Sequence, residues 1–97
     1  MDPREAYYYA EKYGPSKETR EIACKESQFA YWYAVIVDKG PREDTRKATY
    51  ENSYYAYNYA RFVDKGFHED TWEAVENTMW GKYYKEFINF LMKEKIV

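Results

Sequence analysis

The sequence predicts an all-α fold: a short α-solenoid or helical bundle of about seven helices, built from three to four helical hairpins of about 26 residues. Three observations carry that expectation. The stretch "AYWYAVIVDKGPREDTRKA" at 30–48 returns as "AYNYARFVDKGFHEDTWEA" at 56–74, and Gly14, Gly40 and Gly66 keep the same 26-residue step as Thr19, Thr45 and Thr71. Apolar residues in each copy recur at helical spacing. Lastly, 13 Tyr, 5 Phe and 3 Trp stand against a single Leu, Leu91. So few aliphatic residues would by themselves point towards disorder. The rings reverse that reading, because each can bury roughly 150–250 Å².

The elements follow in order. An opening copy carries Ala6-Tyr7-Tyr8-Tyr9-Ala10 and is two residues shorter before its glycine. A fourth, degraded copy begins near Trp80-Gly81 and carries "YYKEFINFLMKEKIV". Atypical first and last copies suit a stacked array, whose ends face water. Predicted helices span 3–12, 16–26, 28–39, 42–52, 54–65, 68–78 and 81–94, in a single helical-repeat domain over 1–97. On the first helix of a unit, Ala30, Tyr33, Ala34 and Val37 share one face, flanked by Phe29 and Ile36. The next unit repeats this with Ala56, Tyr59, Ala60 and Val63, flanked by Tyr55 and Phe62. Asp-Lys-Gly then closes each helix, with glycine expected in the left-handed position after the C-cap. Pro15 and Pro41 suit the first turn of the next helix. Glu43-Asp44 and Glu69-Asp70 suit its dipole. The inward positions of the second helices are small: Thr19, Ile22 and Ala23, then Thr45, Ala48 and Thr49, then Thr71, Ala74 and Val75. Small faces let the aromatic helices approach closely. Ser27 and Ser53 are the expected N-caps of the following helices.

Charge and composition exclude several function classes. Fifteen Lys and Arg against seventeen Asp and Glu give a net charge of −2. No field of one sign steers the chain to nucleic acid or to an anionic membrane. No apolar run approaches the roughly 20 residues of a membrane span. No signal-peptide core follows "MDPREAYYYAEKYG". Cys24 is the sole cysteine, so the chain has no intramolecular disulfide and a reducing, cytoplasmic setting is expected.

"DPREAYYYA" at 2–10, "AYWYAVIVDKG" at 30–40 and "AYNYARFVDKG" at 56–66 resemble the Tyr/Ala-rich tandem repeats of large bacteriophage proteins. Those repeats read A-Y-x-Y-A-x-x-V-x-x-G-R-W-P-E-A-E, often opened by Asp-Pro. The resemblance covers roughly residues 2–80. The block after glycine departs from it: "PSKET", "PREDT" and "FHEDT" lack Arg-Trp-Pro. The resemblance implies a helical repeat and a viral origin, and it implies no chemistry.

Each chemically suggestive cluster also has a plainer reading. His68, Glu69 and Asp70 are consecutive and point different ways from a helix, so they read as a solvated N-terminus rather than a metal or acid–base cluster. The "DKG…ED" loops lack the alternating oxygen ligands of a calcium loop. Cys24 has no adjacent base and reads as a small half-buried thiol. No catalytic, metal or cofactor site is expected, and the chain reads as a non-enzyme. The residues expected to meet a partner are Tyr8, Trp32, Val35, Arg61 and Trp72. Trp32 and Val35 lie opposite the Ala30/Ala34 face, with Tyr8 and Arg61 at equivalent positions of the neighbouring units. The tail stripe Phe87, Ile88, Phe90 and Leu91 reads as a cap on the core. The expected function is a protein-interaction module that blocks a host protein sterically, of the anti-defence or anti-CRISPR type. The competing expectation is a nucleotide, second-messenger or single-strand binder using tyrosine stacking, which a basic groove would have to accompany. A homodimer through an open repeat end, near Trp80 and the tail stripe, is a third arrangement.

Overall fold

Three of the helices start where the N-cap side chain relieves their free amides. In the computed structural model, which describes residues 1–96 and the side chains of residues 1–93, Asp2 opens α1 (Pro3–Tyr13) with a reciprocal cap to Glu5. Ser16 caps α2 (Lys17–Ala23) by accepting from the Thr19 amide. α3 (Ser27–Trp32) runs on into a π-helical turn, Tyr33–Asp38, and α4 (Glu43–Ala48) follows. α5 (Ser53–Tyr59), capped by Asn52, continues into a second π turn, Ala60–Asp64. α6 (Glu69–Val75) and the long α7 (Met79–Ile96) complete the chain. Among the described residues there are seven helices and no strand. The Cα atoms fill a slab of 43 × 29 × 15 Å. A slab this thin has little deep interior, so polar contacts must carry part of the packing.

Several local expectations are corrected. The N-caps of α3 and α5 are Glu26 and Asn52, while Ser27 turns its hydroxyl to the Ala48 carbonyl at 2.7 Å. Pro15 and Pro41 stand one residue before the N-caps Ser16 and Arg42, outside the helices. The left-handed residues are Lys39 and Lys65, at φ 55° and 54°, and not the glycines that follow them. The π turns explain this. The carbonyl of Ala34 accepts from both Lys39 and Gly40, and that of Ala60 from both Lys65 and Gly66, so the chain reverses one residue early.

The same turns re-aim the side chains. Each residue of a π turn advances by less than the about 100° of an α-helix. Ile36 and Phe62 therefore point outward, 38% and 51% exposed, instead of flanking the core. Val35 swings inward against Tyr31, Ala34, Tyr59 and Val63, so it is half-buried core rather than open surface. Asp38 and Asp64 swing inward too, with side chains only 7% and 1% exposed.

Three buried tyrosines hold the hairpins together. Tyr33, the first residue of the π turn after α3, sends its hydroxyl to the N-cap of α2: it accepts from the Ser16 amide at 3.0 Å and lies 3.2 Å from the Ser16 carbonyl and 2.8 Å from the Thr19 hydroxyl. Tyr59 does the same to α4, accepting from the Arg42 amide at 3.0 Å beside the Arg42 carbonyl and the Thr45 hydroxyl. Tyr84 meets the His68 amide at 3.0 Å and the His68 carbonyl at 3.3 Å. There Thr71 donates to Tyr50 instead. Thr19 and Thr45 are thus more than small: they complete the polar sockets of Tyr33 and Tyr59. Among the described residues no buried side-chain N or O lacks a partner.

An ion pair sits on each of the first two sockets. Arg20 grips Asp38 through Nε and Nη2 at 2.9 and 2.7 Å, with its guanidinium 5.4 Å from the Tyr33 ring centre. Arg46 grips Asp64 at 2.8 and 2.6 Å and lies 5.9 Å from the Tyr59 ring centre. The fork geometry suits bidentate pairing, and the ring face suits the cation. At the third socket Trp72 stands 26 residues on from Arg46, and Asn89 lies five residues after Tyr84, as Asp38 and Asp64 lie five after Tyr33 and Tyr59. Nearby, Gly81 is dictated by proximity: a Cβ there would lie 2.8 Å from the carbonyl oxygens of Val75 and Glu76.

Two outcomes are expected in denaturant unfolding. Tyr33→Phe and Tyr59→Phe each lose about 1–3 kcal/mol, because a buried amide and threonine lose their partner. Tyr9→Phe, at the equivalent position on α1 but 49% exposed, changes stability by less than about 0.5 kcal/mol. Equal effects at all three positions would contradict the socket. Lys39→Gly relieves a left-handed lysine and raises stability by up to about 1 kcal/mol; a loss of stability would contradict that conformation.

Candidate functional site

Side chains of α3, α5 and α7 build a continuous row of aromatic rings. Trp32 meets Tyr31 edge-on, centres 5.4 Å apart, and Tyr31 lies 5.9 Å from Tyr55 on the next helix. Tyr55 meets Tyr54 at 5.0 Å, and Tyr54 meets Trp80 at 5.1 Å. Trp80 stacks on Tyr57 at 5.5 Å with 22° between planes, and lies 5.5 Å from Tyr83. Such spacings are favourable for aromatic pairs. Tyr31 and Tyr57 are buried, whereas Trp32, Tyr54 and Tyr83 are 39%, 45% and 44% exposed. The buried rings thus fix the exposed ones in place.

At the α7 end the row opens into a groove of about 360 Å³ lined by Tyr57, Arg61, Tyr83, Glu86, Phe87 and Phe90. Arg61 donates to the Tyr57 hydroxyl at 3.3 Å and covers the Phe62 ring at 5.1 Å. Phe90 is 58% exposed there, while Phe87 and Ile88 pack on the core, so the tail stripe is divided between core and surface. Trp80 is half-buried within the row, packing the start of α7 against Tyr54 and Tyr57 of α5.

The expected partner residues are therefore dispersed. Trp32 and Arg61 belong to the row, at its two ends. Tyr8 is 51% exposed on α1, under the Arg4 guanidinium at 5.7 Å, in a separate cluster with Tyr7 and Phe29. Val35 is half-buried core. Trp72 is half-buried against Tyr84 at 5.7 Å, with the Lys85 ammonium 5.3 Å from its ring centre. Sequence reasoning missed Tyr54 and Tyr83. Tyr54 could have been found from its place in the doublet Tyr54-Tyr55, since adjacent helical positions cannot both face the core.

The remaining candidates behave as follows. Cys24 is held by a weak contact to the Asp44 carbonyl at 3.7 Å, and burial first, then the nearby Asp44, pushes its thiol up to about 11. Its thiolate is scarce at neutral pH. His68 is the N-cap of α6, with Nε2 3.6 Å from Asp64, whose carboxylate is already gripped by Arg46. Among the described residues no three His, Cys, Asp or Glu side chains gather in a metal-sized cluster. Among them, too, no helix is long and apolar enough to cross a membrane. Comparisons with protein families, with curated proteins and with solved structures find no match.

Burial raises the tyrosines Tyr31, Tyr50, Tyr59 and Tyr84 above their ordinary value, and burial with the Glu11 hydrogen bond pushes Tyr7 up to about 12. Folding holds these hydroxyls neutral, so their contribution is complete below about pH 10, where unfolded tyrosines ionise. It is lost as pH rises from there towards the folded values. Tyrosinate absorbance should appear in two phases, the later one coinciding with loss of helical circular dichroism. A single phase near pH 10 in a still-helical chain would contradict the buried placements.

Proposed function

We propose that this chain is a protein-interaction module, a short stack of helical-hairpin repeats that engages a partner through the aromatic row. The observation that carries the reading is the set Trp32, Tyr54 and Tyr83, three half-exposed rings held by buried ones across three helices. Tyr and Trp are enriched at interfaces and dominate their energetic centres. Rings already fixed in place lose little entropy on binding. A stacking platform for bases would need a basic groove, and the row brings one arginine, Arg61, with Glu86 beside it. The 26-residue recurrence of the socket residues supports a solenoid architecture. The resemblance to phage repeats supports a viral origin. On that reading the partner is a host protein in the host cytoplasm, blocked sterically, with a defence nuclease or CRISPR effector as the natural class.

The test is capture from bacterial lysate with tagged chain, split into nuclease-treated and untreated halves. One stoichiometric protein is expected in both. Trp32→Ala and Tyr83→Ala, each confirmed helical, should weaken its affinity about 30-fold, matching about 2 kcal/mol per anchor. Unchanged capture by both variants would contradict the row as the interface. A band lost on nuclease treatment would assign the surface to nucleic acid.

A further inference from the structure

The third socket differs from the other two in a way that opens a second binding site. At the first two, an arginine lies over the tyrosine ring and fills the space down to the aspartate: Arg20 over Tyr33 to Asp38, Arg46 over Tyr59 to Asp64. At the third, both members of the pair are replaced together, by Trp72 and Asn89. α7 also runs on as an α-helix where α3 and α5 widen into π turns, so no carboxylate is swung under Tyr84. What remains is a cavity of about 300 Å³ lined by Phe67, Trp72, Tyr84, Lys85, Ile88 and Asn89. That volume is at the lower end of small-molecule sites, about 300–1,000 Å³. Its walls are three aromatic rings and one isoleucine, and its polar groups are one ammonium and one carboxamide. Tyr84 is 1% exposed and has its hydroxyl committed to His68, so it offers only its ring. Phe67 is 55% exposed with its ring centre 6.1 Å from that of Tyr84, standing at the rim. Among the described residues no carboxylate pairs with Lys85, whose ammonium hangs over Trp72 at 5.3 Å.

We propose that this cavity binds a planar aromatic anion, its ring between Phe67 and Trp72 and its acid group on Lys85 with the Asn89 amide beside it. The aromatic walls select a flat apolar body. The unpaired ammonium at the mouth selects a negative charge and repels a cation. The site is distinct from the aromatic row, and the proposal does not depend on the row having a partner.

The probe is anilinonaphthalene sulfonate, a flat aromatic anion that brightens in apolar surroundings, titrated into the intact chain beside the neutral analogue N-phenylnaphthylamine. One sulfonate site per chain is expected. Lys85→Glu should weaken the sulfonate about tenfold or more while leaving the neutral dye unchanged. Phe67→Ala should weaken both dyes about tenfold. Both positions are exposed, so the variants keep the fold, and circular dichroism checks this. Trp32→Ala should leave both affinities unchanged. No sulfonate binding, or binding that neither Lys85→Glu nor Phe67→Ala weakens, overturns the site. Equal loss of both dyes on Lys85→Glu overturns the anion preference.

Discussion

The structure depends on a tyrosine hydroxyl placed at the N-terminus of another helix. A helix start leaves amides without partners, and short helices such as α2, α4 and α6 have few other bonds to offset them. Tyr33, Tyr59 and Tyr84 each reach across from a neighbouring helix and satisfy the N-cap amide of Ser16, Arg42 or His68. One side chain thus joins two elements, buries a large ring and closes a polar deficit. A chain with a single leucine, folded into a slab whose Cα atoms span only 15 Å in its thinnest direction, has no thick aliphatic core to do this instead.

The π turns serve the same arrangement. Widening the helix after Tyr33 and Tyr59 turns the aspartate five residues on into the space beside the ring, where the arginine of the neighbouring short helix meets it. The conformational cost is a left-handed lysine at the end of each turn. Breaking such a pair by removing one partner leaves a nearly buried charge, which is more damaging than the pair's net worth. The third socket lacks both the turn and the pair, and an open apolar cavity takes their place. One framework therefore yields two closed sockets and one open one.

Much of the fold was legible in the sequence. The 26-residue step of Gly14, Gly40 and Gly66 and the Ala30/Ala34 spacing pointed to seven helices, but α2, α4 and α6 end at Ala23, Ala48 and Val75, three to four residues before the expected 26, 52 and 78. The socket was half legible. The step shared by Thr19, Thr45 and Thr71 was visible, but their hydrogen bonds to Tyr33, Tyr59 and Tyr50 join residues 14 to 21 positions apart, which helical periodicity does not report. The π turns were not legible, since one extra residue per turn leaves no mark on an apolar pattern so short. Because of them Val35 was expected outside and Ile36 beside the core, each the reverse of its place. Within the aromatic row and its groove, the wheel put Trp32 and Arg61 on the surface, while the exposure of Tyr54 and Tyr83 depended on how α5 and α7 pack.

The most direct measurement of the socket is amide hydrogen exchange at Ser16, Arg42 and His68, resolved residue by residue. N-cap amides make no intrahelical bond and ordinarily exchange with water at nearly unprotected rates. If the tyrosine hydroxyls hold them at the 3.0 Å seen here, all three exchange as slowly as the amides inside the helices they precede. Exchange at the rate of an open loop would show that the hydroxyls do not hold the helix starts, and the account of how the hairpins are joined would fail.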